Sequence, residues 1–217
     1  DHFALNLSDP DFHYLTDHGS RVTFTTKEHI ISHICKQLKL KSFQLKCHLI
    51  PTEKELNKAN KIISHLPEKY ITIEPISKTS WMQSRSYPFE KWQKVVDSLS
   101  HYNFVQIGAP NSQKLNNVIY LNGQLSFRES SEIIRKSQLL LSTEGGFGHL
   151  SNAVNKQSLL VYTSYQNPRM TAYPTTEIVD IALYRDQILG YKSHELYEQE
   201  AERHDESEII EKISECL

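Results

Sequence analysis

Two stretches of this chain bring together residue types suited to holding an anion. The first is LLLSTEGGFGHL at 139–150. An apolar run (Leu139, Leu140, Leu141) gives way to two hydroxyls, a carboxylate at Glu144, and then Gly145, Gly146 and Gly148, with His149 directly after. Three of the chain's seven glycines fall in this window. The pattern predicts a strand running into a glycine-rich turn that opens a helix. Glycines accept positive φ and let backbone N–H groups come close to a ligand. The first turn of a helix offers unpaired N–H groups and the positive end of the dipole, which together attract anions. Diphosphate is the guest that fits, and His149 stands in the first helical turn, where it can donate to it. A tight strand-to-helix connection accounts for the same glycines. No Gly-Lys-Ser/Thr follows, so the turn is not a Walker loop, and the glycine spacing differs from the dinucleotide GxGxxG.

The second stretch is IEPISKTSWMQSRSYPFEKW at 73–92. It leaves a strand, crosses a basic, hydroxyl-rich loop and enters a helix near Pro88. Ser77, Lys78 and Arg85 are phosphate-binding types, Arg85 through a planar fork that matches two oxygens. For Lys78 and Arg85 the competing reading is solvated loop charge. Trp81, Tyr87 and Trp92 have faces that stack on a base or sugar, although Trp92, on the helix, reads better as core. Asp9-Pro-Asp11 has the form of a metal-binding DxD, but Pro between two Asp residues is ordinary turn chemistry. The eleven histidines include no HExxH and no paired Cys/His spacing. No metal site and no cofactor are expected.

The elements around these stretches alternate. Helical spacing runs over 27–40, and 44–50 reads as a short strand. Thr52 followed by Glu55 predicts a capped helix to about 66. Strands are predicted over 70–76, 104–108, 118–121, 139–142 and 158–162, with another at 178–181. Helices are predicted over 89–99, over 126–136 with Ser126 as cap and Glu129 at N3, and over 146–155. The fold class is α/β, a Rossmann-like parallel sheet with helices on both faces. Long loops remain at 77–88 and 163–177. Both follow strands, where open α/β sheets bind ligands, and loops of this length are uncommon unless they work. The charged tail from 195 to 215 reads as a solvated helix face, with Ile209, Ile210 and Ile213 on one side.

Bulk properties narrow the function classes. A chain of 217 residues with 38% hydrophobic content supports a real core. A formal net charge of −2 with mixed signs argues against a nucleic-acid partner. Cys35, Cys47 and Cys216 form no paired spacing, which suits a reducing, cytoplasmic setting. No run approaches the ~18 apolar residues of a membrane span, which leaves peripheral membrane contact open.

In order and spacing, four elements resemble glycosyltransferase family 9, the heptosyltransferase family. They are Arg85-Ser-Tyr-Pro88, Val105-Gln-Ile-Gly108, Asn122-Gly-Gln-Leu-Ser126 and Glu144-Gly-Gly-Phe-Gly-His149, and the likeness covers 71–174. The family's turn usually carries Asp and then Ser or Thr, where this chain has Glu144 and Gly145. That departure bears on the donor's identity.

The resemblance implies the donor-binding half of a two-domain GT-B glycosyltransferase. Its donor would be a nucleotide-diphosphate sugar and its acceptor a glycan or glycolipid, with inversion at the anomeric carbon and no metal. The donor-site residues it implies are Ser77, Lys78, Arg85, Gly108, Glu144, Gly145, Gly146 and His149. Residues 1–45 are expected to be the end of an acceptor domain or a linker, and 46–217 the nucleotide-sugar-binding domain. The catalytic base is then expected outside this chain. The alternative is a nucleotide- or sugar-binding module without catalysis.

Overall fold

The computed structural model describes residues 28–76, 86–110, 112–184 and 194–217. Six strands form one parallel sheet: β1 (Ile71–Glu74), β2 (Phe104–Gln106), β3 (Val118–Tyr120), β4 (Leu140–Thr143), β5 (Ser158–Tyr162) and β6 (Thr176–Asp180). Their order is β3-β2-β1-β4-β5-β6. Strands added outward from β1 go first to one side and then to the other, so the chain reverses direction between β1 and β4. The crevice outside the carboxyl ends of those two strands is where such sheets bind ligands.

The helices are α1 (Ile30–Gln37), α2 (Glu53–Ile63), α3 (Phe89–Ser98), α4 (Phe127–Lys136), α5 (Gly146–Ala153), α6 (Pro168–Thr171), α7 (His194–Arg203) and α8 (Ser207–Cys216). Two begin in capping boxes, as their sequences predict: Thr52 with Glu55 on α2, and Ser126 with Glu129 on α4. In each, the hydroxyl takes the N3 amide while the carboxylate returns to the cap amide, so two otherwise orphaned donors are satisfied.

The inner strands β1, β2, β4 and β5 are buried along their whole length because both faces of the sheet are covered there. Ile71 and Ile73 of β1 and Leu141 of β4 pack with Trp92 and Val95 of α3 and with Ile209 and Ile213 of α8. Leu140 and Val105 pack on the opposite face with Ile133 and Ile134 of α4 and Leu150 of α5. Trp92 is fully buried, and Tyr87 is 2% exposed with its hydroxyl 2.9 Å from His204 Nδ1. Neither offers an open face for stacking.

Three expectations need correction. Residues 44–50 form no strand. The segment runs over α5 instead, where the Cys47 amide donates to Asn152 Oδ1 at 2.8 Å and Lys46 Nζ reaches the Asn152 carbonyl and Asn155 Oδ1. The loop expected over 163–177 is interrupted by α6, which Asn167 caps and Pro168 starts. The tail is not uniformly solvated, because Ala201, Ile209, Ile213 and the Glu200 carboxylate are buried.

Candidate functional site

The carboxyl ends of β1 and β4 lie side by side, with Glu74 in register with Ser142. Ser142 Oγ donates to Glu74 Oε2 at 2.8 Å. Glu74 is only 4% exposed, and burial pushes its carboxyl up to about 8 against the single lowering effect of Ser142. The group is therefore mostly neutral at pH 7 and adds little negative charge to the crevice.

Gly108 follows β2 at φ +145°, a conformation that disfavours side chains. A Cβ there would meet Asn122 Nδ2 at 3.0 Å and Glu74 Cγ at 3.9 Å. Asn122, just past β3, is buried, and its Oδ1 has no hydrogen-bond partner among the described residues. Residues from the ends of β1, β2, β3 and β4 thus gather at one edge.

Glu144, Gly145 and Gly146 leave β4 at the same edge. The Glu144 amide donates to the Val161 carbonyl at 3.0 Å, which ties the start of the turn to β5. Gly145 is the N-cap of α5 and makes no side-chain cap bond, so no side chain of the cap occupies the first-turn amides. Gly146 is exposed. The half-exposed ring of Phe127, at the start of α4, lies 3.3 Å from where its Cβ would be.

The glycines work differently from the sequence expectation. Gly145 is extended, at φ 169°, and neither Gly146 nor Gly148 is in the left-handed region; among the described glycines, Gly108 and Gly123 are the ones at positive φ that disfavour a side chain. Gly148 serves packing instead, since a Cβ there would lie 2.6 Å from Leu160 Cδ1. Its absence lets α5 sit close on β5 and sets the helix start at the sheet edge.

His149, half-buried, is bonded through Nδ1 to the Tyr173 hydroxyl at 2.7 Å. Tyr173 also contacts Cys47 Sγ at 3.0 Å, and its ring lies 5.0 Å from that of His29. Of the residues singled out in sequence, Gly108, Glu144, Gly145, Gly146 and His149 share the carboxyl edge. Ser77, Lys78, Arg85, Trp81 and the Asp9/Asp11 pair lie outside the described residues. Glu74, Asn122 Oδ1, Phe127 and Tyr173 were not singled out. A carboxylate ending an apolar strand was the one available signal, for Glu74. Among the described residues, no group of three or more His, Cys, Asp or Glu side chains is arranged to hold a metal ion. No described helix is long and apolar enough to cross a membrane.

Comparison with known proteins bears on this arrangement. The model of glycosyltransferase family 9 (heptosyltransferase) matches residues 32–195. A family 9 glycosyltransferase from Veillonella parvula DSM 2008 superposes with a TM-score of 0.60 at 14% identity, over 82% of this chain and 60% of that one. E. coli ADP-heptose LPS heptosyltransferase II gives 0.57 at 14% identity, over 78% of this chain and 53% of that one. E. coli heptosyltransferase WaaC with ADP gives 0.52 at 15%, over 73% and 48%. At such identities the likeness is one of fold, and the chain spans about half the length of these structures. No curated protein sequence matches at a significant level. With the family model matched over most of its length, the chain belongs to glycosyltransferase family 9, the heptosyltransferase family.

Proposed function

We propose that this chain binds a nucleotide-diphosphate sugar at the β1/β4 crevice and serves as the donor half of a GT-B glycosyltransferase. The observation that carries this reading is the start of α5. Its amides have no side-chain cap, Gly146 is open, and His149 stands one turn in, all at the switch-point edge. As the bond to the diphosphate breaks, negative charge grows on the leaving oxygens. Fixed amide dipoles and a donor imidazole stabilise that charge without having to reorganise. By residue type, Ser77, Lys78 and Arg85, which follow β1 in the sequence, are assigned to the phosphate oxygens as well. Glu144 orients the turn or bonds a sugar hydroxyl. The protonated Glu74 spares the diphosphate the repulsion that a carboxylate would exert.

Family membership supports transfer to a glycan or glycolipid with inversion and without metal, in the cytoplasm. Glu144-Gly145, in place of the acidic-hydroxyl pair, supports a second reading, binding without transfer. A turnover assay on the intact gene product separates the two.

ADP is the first nucleotide to test, since the WaaC structure carries it. Calorimetric titration with ADP, UDP and GDP in chelator should show binding of at least one. Binding that appears only with added Mg²⁺ or Mn²⁺ would contradict the metal-free reading, and no binding under either condition would remove the donor site.

A further inference from the structure

Tyr173 lies between α6 and β6 and is 4% exposed. Its backbone is pinned by a local turn, its amide donating to Thr176 Oγ1 at 3.2 Å while its carbonyl accepts from the Thr176 amide at 2.9 Å. Its hydroxyl stands between two groups, His149 Nδ1 at 2.7 Å and Cys47 Sγ at 3.0 Å. Burial first, then Cys47, Tyr162 and Glu144, hold its ionisation above the ordinary tyrosine range, so the hydroxyl keeps its proton. One proton can go to only one of the two neighbours. An imidazole nitrogen is a good acceptor and sulfur a weak one. These strengths favour donation by the phenol to His149 Nδ1 and by the Cys47 thiol to the phenol oxygen.

We infer that Tyr173 is a positioning residue that fixes His149 with its proton on Nε2, and that Cys47 of the 28–50 segment completes the relay. The tautomer decides what His149 can do. With the proton on Nε2, the neutral ring presents an N–H beyond the Tyr173 bond, the form that donates to a phosphate oxygen. The opposite arrangement, Nδ1–H to the phenol and phenol to sulfur, would leave Nε2 as a lone pair that repels the same oxygen. The second partner of a functional histidine commonly sets its tautomer in this way.

His29 supports the geometry. Its Nδ1 accepts the Ile31 amide at 3.2 Å, and its ring braces that of Tyr173 from the side of the 28–50 segment. Burial first, then the proximity of the His149 ring, lowers its basicity. The segment before β1 is thereby linked to the anion site through side chains.

The inference rests on the donor-site reading for its link to binding, so its test has two independent arms. In the first, ¹⁵N-histidine NMR of the 217-residue chain at neutral pH reads the His149 ring directly. The expected spectrum has Nε2 protonated and Nδ1 as an unprotonated acceptor, and a protonated Nδ1 overturns the assignment. In the second, calorimetry with ADP compares Tyr173→Phe, His149→Gln and the double variant. Tyr173→Phe should weaken binding roughly two- to tenfold, the range for one neutral hydrogen bond. It should add nothing further in the His149→Gln background, and its melting temperature should identify any simple unfolding. An additional loss in that background overturns the positioning role. ADP affinity unchanged by His149→Gln would instead remove His149 from the donor site and end the proposed link to binding. Cys47→Ala, which keeps the phenol's proton on His149, provides a folded control with a smaller change than Tyr173→Phe, and an equal or larger change would overturn the direction of the relay.

Discussion

Two buried glutamates stand near the carboxyl edge of the sheet, and they live differently. Glu200 of α7, 1% exposed, accepts from the Ser164 amide at 2.8 Å, the Leu183 amide at 2.8 Å, the Tyr184 amide at 3.1 Å and the Ser164 hydroxyl. Glu74, equally buried, has one donor among the described residues, Ser142. A carboxylate surrounded by amides is satisfied as an anion and acts as a staple, here holding the loop after β5 and the segment after β6 to a C-terminal helix. A carboxyl with a single hydroxyl partner cannot afford its charge and keeps its proton. The end of that edge held by Glu200 is built for stability. The end at the switch point keeps an unsettled group beside an exposed helix start, and it is where we propose that the donor binds.

The largest effect should come from breaking the staple. Glu200→Ala strands several donors in a buried place, where each unsatisfied group costs about 1–3 kcal/mol before water relaxes in, for a net loss of roughly 3–5 kcal/mol. Urea unfolding measures it. ADP binding by the remaining folded protein should be almost unchanged. If Glu200→Ala instead abolished binding at intact stability, the division between the two ends of that edge would be wrong.

Glu74 should reveal itself through pH. Its folded-state pKa of about 8 is raised above the ordinary 4.5. Its contribution is therefore fully present below about pH 4.5 and is lost as pH rises through about 8, because the unfolded chain ionises first. At about 1.4 kcal/mol per unit, the wild type should lose about 3 kcal/mol of stability between pH 4 and 7 from this group alone. Glu74→Gln, which can still accept from Ser142, should lack that slope. Denaturant melts of both proteins across pH 4–8 decide it, and parallel curves would mean that Glu74 is ionised in the fold.

What could be read from sequence follows from range. The boxes Thr52/Glu55 and Ser126/Glu129 are local, and both helices start where their residues say. The apolar runs of β4 and β5 announce strands covered on both faces, because no alternation survives when both sides are buried. Glu74 sat in plain view, yet its burial depends on β4 lying beside β1, a consequence of strand order that spacing does not encode. Glu200 looked like one charge among many in an acidic tail, and its donors come from two distant loops. Tyr173 stands 24 residues from the histidine it holds. The 44–50 segment has strand-like residues, but bonds to Asn152 and Asn155 hold it against α5 instead of a sheet. Of the candidate site, the strand-to-helix turn was thus legible, while the groups beside it were not.

The smallest effect separates two glycines only two residues apart. Gly148 faces Leu160, which is 2% exposed, and an added Cβ would approach its Cδ1 to 2.6 Å. A methyl group there forces either the leucine off its rotamer or α5 away from β5, at a cost of about 1–2 kcal/mol, the lower part of the range for overpacking a core. Gly146 faces only the half-exposed ring of Phe127 at 3.3 Å, and that ring can give way into solvent. Gly146→Ala should therefore leave stability nearly unchanged, the better helix propensity of alanine offsetting the shift of the ring. Binding should invert the order. A methyl at Gly146 stands at the exposed helix start and obstructs a diphosphate approaching the amides, whereas Gly148→Ala disturbs the site only through the tilt of α5. Melting temperatures and ADP titrations of the two variants, taken together, give a two-by-two pattern. If Gly148→Ala were the more damaging in both measurements, the turn would be a packing device and the anion site would have to be sought elsewhere on the edge.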